Sequence, residues 1–256
     1  MTMTTFDKLL EVRKNRGAGY LVLIDPDKTD SARLPSFVRD ATEAGVDGFL
    51  IGGSLLLSNE IDKLIQLIKS NTSVPVVIFP GSLFQISPVA DAILFLLLIS
   101  GRNPDHLIGN QVTAAPIIKR IGLEAISTGY MLIEAGTTTS AEFMSNTKPI
   151  PRNKPDIAVA HALAAEFIGL KMLYLDAGSG ADFPVPDEMI QKIAKYSSLP
   201  MIIGGGIRNP DVAREKVKAG ASFVVTGTII EQNTDHSLVR EFAEAVHSVQ
   251  LVNRKP

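Results

Sequence analysis

The chain contains no cysteine among its 256 residues. Disulfide bridges and thiolate metal sites are therefore excluded. Histidine is sparse: His106, His161, His236 and His247 are scattered without metal-ligand spacing, which argues against a conventional zinc site. An excess of charge of one sign is lacking too. The formal net charge is -2 with no basic block, and binders of nucleic acid concentrate Lys and Arg on one face, so nucleic acid is not an expected partner. Long apolar runs are also missing. The longest, Ala92 to Ile99, falls well short of the about 20 residues needed to cross a bilayer. Met1 to Arg16 mixes charged and apolar residues instead of forming a signal-peptide core. Together these absences predict a soluble, cytoplasmic protein.

What is present is apolar and regularly punctuated. Apolar residues make up 45% of the chain, enough core for one α/β barrel or for two small domains. No Pro/Ser/Gly-rich linker divides it, so residues 1–256 are read as a single domain. Short β-branched runs predict strands at Tyr20–Ile24, Gly48–Ile51, Val76–Phe79, Ala92–Leu96, Glu124–Ile133, Met172–Leu175, Met201–Ile203 and Phe223–Thr226. Amphipathic stretches between them predict helices at Ser31–Ala44, Leu55–Lys69, Pro104–Lys119, Pro155–Ile168, Pro186–Tyr196, Pro210–Ala219 and Asp235–Val249. After the third strand, Gly81 to Pro88 is too short and broken for a helix. Leu9, Leu10 and Val12 predict a short helix closing the bottom of a barrel. Strand–helix units of roughly 25 to 35 residues describe an α/β fold, a (β/α)8 TIM barrel, with a doubly wound open sheet as the alternative. The polar tract Gly136 to Lys154 reads as a binding loop or as a surface insertion.

In such a barrel, functional residues sit at the C-terminal ends of strands. Strand one ends in Asp25-Pro26-Asp27-Lys28, which suits a carboxylate-held hard cation beside an ammonium that meets phosphate, or else a solvated Asp-Pro turn. Strand two ends in Gly52-Gly53-Ser54, where Ser54 either completes an Mg2+ shell or caps the helix expected from Leu55. The run Ile93 to Ile99, with Phe95, is core in part. Its excess length lines an apolar groove or makes a subunit contact. Tyr174 and Asp176, two residues apart, point to one face, where the carboxylate acts as a base or caps the turn Gly178–Gly180. Strands seven and eight end in Gly204-Gly205-Gly206 and Gly227-Thr228, the usual phosphate position of this fold. One phosphate, one Mg2+, one base and an apolar wall fit the loss of diphosphate from an allylic carbon.

These stretches together resemble the geranylgeranylglyceryl phosphate synthase family, including its bacterial relatives that use longer prenyl chains. The resemblance runs over nearly the whole chain. It rests on Leu23 to Lys28, Gly52-Gly53-Ser54, Phe79-Pro80-Gly81-Ser82, Tyr174 to Ala181, Gly204 to Arg208, and Thr226-Gly227-Thr228. The last of these is similar to the family's second subgroup; Gly-Asn is usual in the first. The resemblance implies a modified barrel that lacks the third helix. It also implies transfer of a polyprenyl group, geranylgeranyl here, from its diphosphate to the sn-3 hydroxyl of sn-glycerol 1-phosphate. Asp25 and Ser54 would be the Mg2+ ligands. Tyr174, Leu175, Asp176, Ala177, Gly178, Ser179, Gly180, Gly205, Gly206, Gly227 and Thr228 would form the glycerol-phosphate cup. Asp176 would be the base, Tyr174 would position the nucleophile and Lys28 would neutralise diphosphate charge. Many relatives carry Glu where this chain has Asp176. A homo-oligomer and transient contact with a membrane surface for product release are also implied. Two rival readings remain: a phosphosugar isomerase or synthase with a polar pocket, and a non-catalytic phosphometabolite-binding protein.

Overall fold

The computed structural model describes residues 3–57, 60–231 and 237–249. Eight parallel strands close on themselves in sequence order. They are β1 (Gly19–Ile24), β2 (Gly48–Ile51), β3 (Val76–Ile78), β4 (Ala92–Leu98), β5 (Glu124–Leu132), β6 (Met172–Asp176), β7 (Met201–Gly204) and β8 (Phe223–Thr226). β1 pairs with β8 through Gly19↔Phe223 to Val22↔Thr226, which closes the barrel. The helices are α1 (Thr5–Arg16), α2 (Leu34–Ala44), α3 (Ile61–Lys69), α4 (Asn110–Ile121), α5 (Ser140–Ser145), α6 (Pro155–Phe167), α7 (Asp187–Tyr196), α8 (Pro210–Ala219), α9 (Thr228–Glu231) and α10 (Ser237–His247).

The strands are apolar on both faces, so the core has two shells. Tyr20, Val22, Phe49, Ile51, Leu173, Leu175 and Ile203 face outward to the helices. Leu21, Leu50, Val77, Leu94, Tyr174, Ile202 and Phe223 fill the barrel interior. Each fully buried Ile, Leu or Phe side chain contributes roughly 1.5–3 kcal/mol, so both shells hold the barrel closed. α1 seals the bottom, as expected from Leu9. Leu9 packs into the inner shell, and the N–H groups of Thr5 and Phe6 donate to the Glu124 carboxylate at 2.6 and 3.0 Å. Glu124 thereby pairs two N–H groups that the first turn of α1 leaves without helical partners.

No α-helix follows β3. A single 3-10 turn, Leu83–Gln85, takes its place before the chain re-enters the sheet at Ala92. The absence leaves the outer face of β4 open to the barrel mouth. The helix expected from Leu55 begins instead at Ile61. Residues 55–57 form a loop over the mouth in which Leu57 is 82% exposed, and the Leu57 N–H donates to Asp27 Oδ2 at 2.7 Å. Ser54 is therefore not a helix cap; the N-cap position belongs to Glu60. The apolar stripe survives where it can be buried, at Ile61, Leu64, Ile65 and Ile68. The tract 136–154 is folded, not irregular. Thr139 caps α5, and Ile133↔Ile150 adds a parallel bridge beyond β5. The four-residue α9 directly after β8 carries no sequence periodicity long enough to predict it.

Candidate active site

A cavity of about 590 Å3 opens at the C-terminal ends of the strands. One end is built of backbone turns. The turns after β6, β7 and β8 contribute Gly178, Ser179 and Gly180, then Gly205 and Gly206, then Gly227 and Thr228. Gly205 adopts φ +81, and a Cβ there would lie 2.5 Å from the Gly178 nitrogen, so the two turns nest only because this residue has no side chain. Ser179 Oγ and Thr228 Oγ1 join the first and third turns at 3.0 Å. Arg208, which also lines the cavity, donates to the Ala181 carbonyl at 2.9 Å and ties down the segment after β6. Glycine turns with two hydroxyls make a cup suited to a phosphate group.

Asp176 ends β6 beside this cup. It is 7% exposed. Its Oδ2 accepts from the Tyr130 hydroxyl at 2.7 Å, and its Oδ1 accepts from the Gly178 N–H at 2.7 Å. Burial pushes the carboxyl above its ordinary range, while the Tyr130 hydroxyl and the Gly178 N–H pull it part of the way back. Asp176 caps the Gly178 turn and also lines the cavity. A buried carboxylate with a raised pKa is the form of group that takes a proton from a bound hydroxyl.

The aromatic neighbours divide their tasks in a way the spacing of Tyr174 and Asp176 does not show. Tyr174 stacks on Phe79 at 4.6 Å between ring centroids, and its hydroxyl reaches across to β7, 2.6 Å from where a Cβ on Gly204 would sit. Tyr130, which had no role in the sequence reading, is the phenol bonded to Asp176. The register explains it: Tyr130 lies directly opposite Tyr174, and Leu132 opposite Asp176. Tyr130 meets Tyr174 edge-on at 5.6 Å. Both phenols are pushed well above their usual pKa, first by burial and then by the Asp176 charge, so both keep their protons as donors.

The expected cup residues separate by face. Tyr174, Asp176, Gly178, Ser179, Gly180, Gly205, Gly206, Gly227 and Thr228 line the cavity. Leu175 and Ala177 face outward into the helix-side shell; their side chains do not reach it.

Across the mouth, β1 presents Asp25, whose Oδ2 pairs with Lys28 Nζ at 2.8 Å. The Asp27 N–H donates to Asp25 Oδ1 at 3.1 Å. The β2 turn lies against this carboxylate, since a Cβ on Gly53 would sit 3.4 Å from Asp25 Oδ1. Ser54 follows at once and also lines the cavity. Among the described residues no group of three His, Cys, Asp or Glu could enclose a metal. Mg2+ is commonly held by one or two carboxylates plus substrate phosphate oxygens. The oxygen donors of Asp25 and Ser54 fit that pattern when a diphosphate completes the shell.

From this end the cavity runs into an apolar groove. Ile93, Leu94, Phe95, Leu96 and Leu98 of β4 line it, with Leu83 and Ile86 from the segment after β3 and Ala114 and Ile118 from α4. Ala141 and Met144 of α5 close one side, so the 136–154 tract is part of the binding wall. Ile93 and Phe95 come from the outer face of β4 and Leu94, Leu96 and Leu98 from its inner face, at the place where no α-helix follows β3. Of the histidines, His106 lines the groove, His161 and His247 are engaged elsewhere, and His236 lies outside the described residues.

The fold and site thus define a (β/α)8 barrel with a glycine-lined cup at one end of its cavity and an apolar groove at the other. The comparisons with known proteins narrow that class. The model of the PcrB family matches residues 10–246, and the chain belongs to that family. It is 47% identical over 241 residues to the geranylgeranylglyceryl phosphate synthase of Chitinophaga pinensis, covering 94% of this chain and 95% of the relative. Identity to the synthase of the same name from Korarchaeum cryptofilum is 42% over 238 residues, covering 93% and 98%. A crystal structure of (S)-3-O-geranylgeranylglyceryl phosphate synthase from Thermoplasma acidophilum in complex with sn-glycerol-1-phosphate superposes with a TM-score of 0.92 at 32% identity. It covers 97% of this chain and 100% of that one. No helix among the described residues is long and apolar enough to cross a membrane.

Proposed function

We propose that this chain is a geranylgeranylglyceryl phosphate synthase. It joins the geranylgeranyl group of its diphosphate to the sn-3 hydroxyl of sn-glycerol 1-phosphate. One observation carries the reading: a buried carboxylate, Asp176, stands between a glycine-lined phosphate cup and an apolar groove. Those are the two substrates' distinguishing ends, and the hydroxyl to be alkylated belongs between them. A phosphosugar isomerase would need polar walls where Leu94, Phe95 and Leu96 stand.

The glycerol phosphate sits in the cup, held by the turns at Ser179, Gly206 and Thr228. The prenyl chain lies along β4, and its diphosphate faces Asp25, Ser54 and Lys28. Asp25 and Ser54 would hold Mg2+, which would supply positive charge to the departing diphosphate. The prenyl C1–O bond breaks with its electron pair leaving on diphosphate. The sn-3 oxygen bonds to C1, and its proton passes to Asp176. Tyr130 holds Asp176 in place, and Tyr174, fixed by its stack on Phe79, walls the position of the nucleophile. Lys28 neutralises diphosphate charge. The shorter Asp176, where Glu is common among relatives, is held on the cavity wall at the end of β6 by its two hydrogen bonds. With this reading go a cytoplasmic location, a homo-oligomer and transient contact with a membrane surface for release of the amphiphilic product.

The test mixes purified protein with sn-glycerol 1-phosphate and geranylgeranyl diphosphate, with Mg2+ or with EDTA, and with sn-glycerol 3-phosphate as control. A prenyl ether formed only with the 1-phosphate and Mg2+ is expected. No ether with any prenyl donor, despite glycerol-phosphate binding, would overturn the reading.

A further inference from the structure

The segment that replaces the third helix carries one side chain the reaction as described does not use. Gln85 ends the 3-10 turn and is 0% exposed. Its carboxamide lies between two turns that are not neighbours in sequence. Oε1 accepts from the Gly81 N–H at 3.1 Å and from the Gly53 N–H at 3.4 Å. Nε2 donates to the Gly53 carbonyl at 2.8 Å. One neutral amide thus pairs three backbone groups that would otherwise lack partners at the barrel mouth. No carboxylate or ammonium could offer both an acceptor and a donor to these groups.

The two turns are pressed together around this amide. A Cβ on Gly81 would lie 2.1 Å from the Gly53 carbonyl oxygen, so the β3 turn can approach only as glycine. On its other side Gly53 faces the Asp25 carboxylate with no more than a methyl group's space between them, since a Cβ there would meet Asp25 Oδ1 at 3.4 Å. Ser54 is the next residue. The contacts form a short chain: Gln85 to the Gly53 turn, then to Asp25 and Ser54. In a barrel of this kind a helix packed behind each strand ordinarily steadies the loop above it. Here no helix follows β3, and a buried side chain does that work.

We infer that Gln85 is a positioning residue that locks the β2 and β3 turns into one frame and so fixes Asp25 and Ser54 toward the diphosphate and its Mg2+. The inference rests on the proposed synthase reading for the identity of that ligand. Groups that act behind metal ligands commonly change metal affinity or activity 10- to 100-fold when removed. The cup for glycerol phosphate is built on β6, β7 and β8 and has no bond to Gln85.

Gln85→Met keeps the length and removes all three hydrogen bonds. Gln85→Glu keeps the acceptor for Gly81 and Gly53 and loses the donor. With each full-length variant, half-saturating Mg2+ and the KM for geranylgeranyl diphosphate should rise about tenfold or more. The KM for sn-glycerol 1-phosphate should stay within about twofold. Calorimetry with Mg2+ and inorganic pyrophosphate reads the same frame without turnover and should show the same loss. An equal rise in both KM values, an unchanged Mg2+ requirement, or failure of both variants to fold would overturn the inference in favour of a purely structural glutamine. If the wild type makes no ether yet binds Mg2+ pyrophosphate, and Gln85→Met weakens that binding about tenfold, the frame stands and the synthase reading falls. Equal binding by wild type and variant sinks the frame whatever the turnover.

Discussion

Replacing Tyr130 with Phe removes one hydroxyl from the centre of the site and little else. The ring is held edge-on by Phe79 at 5.7 Å and by Tyr174 at 5.6 Å, and phenylalanine preserves both contacts. What is lost is the 2.7 Å bond from the hydroxyl to Asp176 Oδ2. A hydrogen bond to a charged group contributes about 1.5–3 kcal/mol. The bond favours the ionised carboxylate, and burial opposes it. Without the bond, burial and the single Gly178 N–H remain, and the carboxyl moves further upward. A base must be ionised to act, so the acid limb of kcat/KM should shift to higher pH. On that limb the variant should fall at least tenfold below wild type, since about 1.4 kcal/mol corresponds to a factor of ten. On the alkaline plateau the two should converge. The assay is kcat/KM for sn-glycerol 1-phosphate across pH 5 to 9, with saturating donor. A uniform drop at all pH values, with the acid limb unmoved, would refute the assignment of Asp176 as the base tuned by Tyr130.

Asp176→Asn should lower turnover by about 10²–10⁴-fold, the usual contribution of a general base. It should also unfold at a temperature no lower than wild type at pH 8. The sign follows from the carboxyl being raised in the folded protein. Its stabilising contribution is present at low pH and is lost as pH rises through the folded value, and asparagine does not titrate. Melting curves at pH 5 and 8 check this: the variant's advantage should grow with pH. Asp25→Asn should abolish Mg2+-dependent turnover while leaving sn-glycerol 1-phosphate binding intact by calorimetry, and retained activity at an unchanged metal demand would defeat the ligand assignment. Gly205→Ala places a Cβ 2.5 Å from the Gly178 nitrogen at φ +81. It should cost about 1–3 kcal/mol of stability and raise the KM for sn-glycerol 1-phosphate, with the KM for the donor unchanged, as steady-state kinetics in each substrate would show.

The sequence by itself determined the barrel and most of the strand ends that carry chemistry. Glycine, proline and asparagine mark boundaries because their backbone preferences are local. β2, β8 and α8 accordingly have the bounds read from the chain, Gly48–Ile51, Phe223–Thr226 and Pro210–Ala219. The missing third helix was legible for the same reason, in the broken run Gly81 to Pro88. The glycine turns of the phosphate cup announced themselves by composition. Tertiary structure decided what depends on distant partners. Leu57 stands in helical spacing with Ile61, Leu64, Ile65 and Ile68, yet the bond from its N–H to Asp27, thirty residues away, holds it in a loop. The phenol beside Asp176 is Tyr130, set 46 residues away by strand register and not by adjacency along the chain. Leu175 and Ala177 share the motif with Asp176 but lie on the opposite face, because alternation along a strand sends neighbours to different shells. No motif or spacing in the sequence singles out Gln85. Only the approach of the Gly53 and Gly81 turns, brought together by barrel closure, gives its amide three partners.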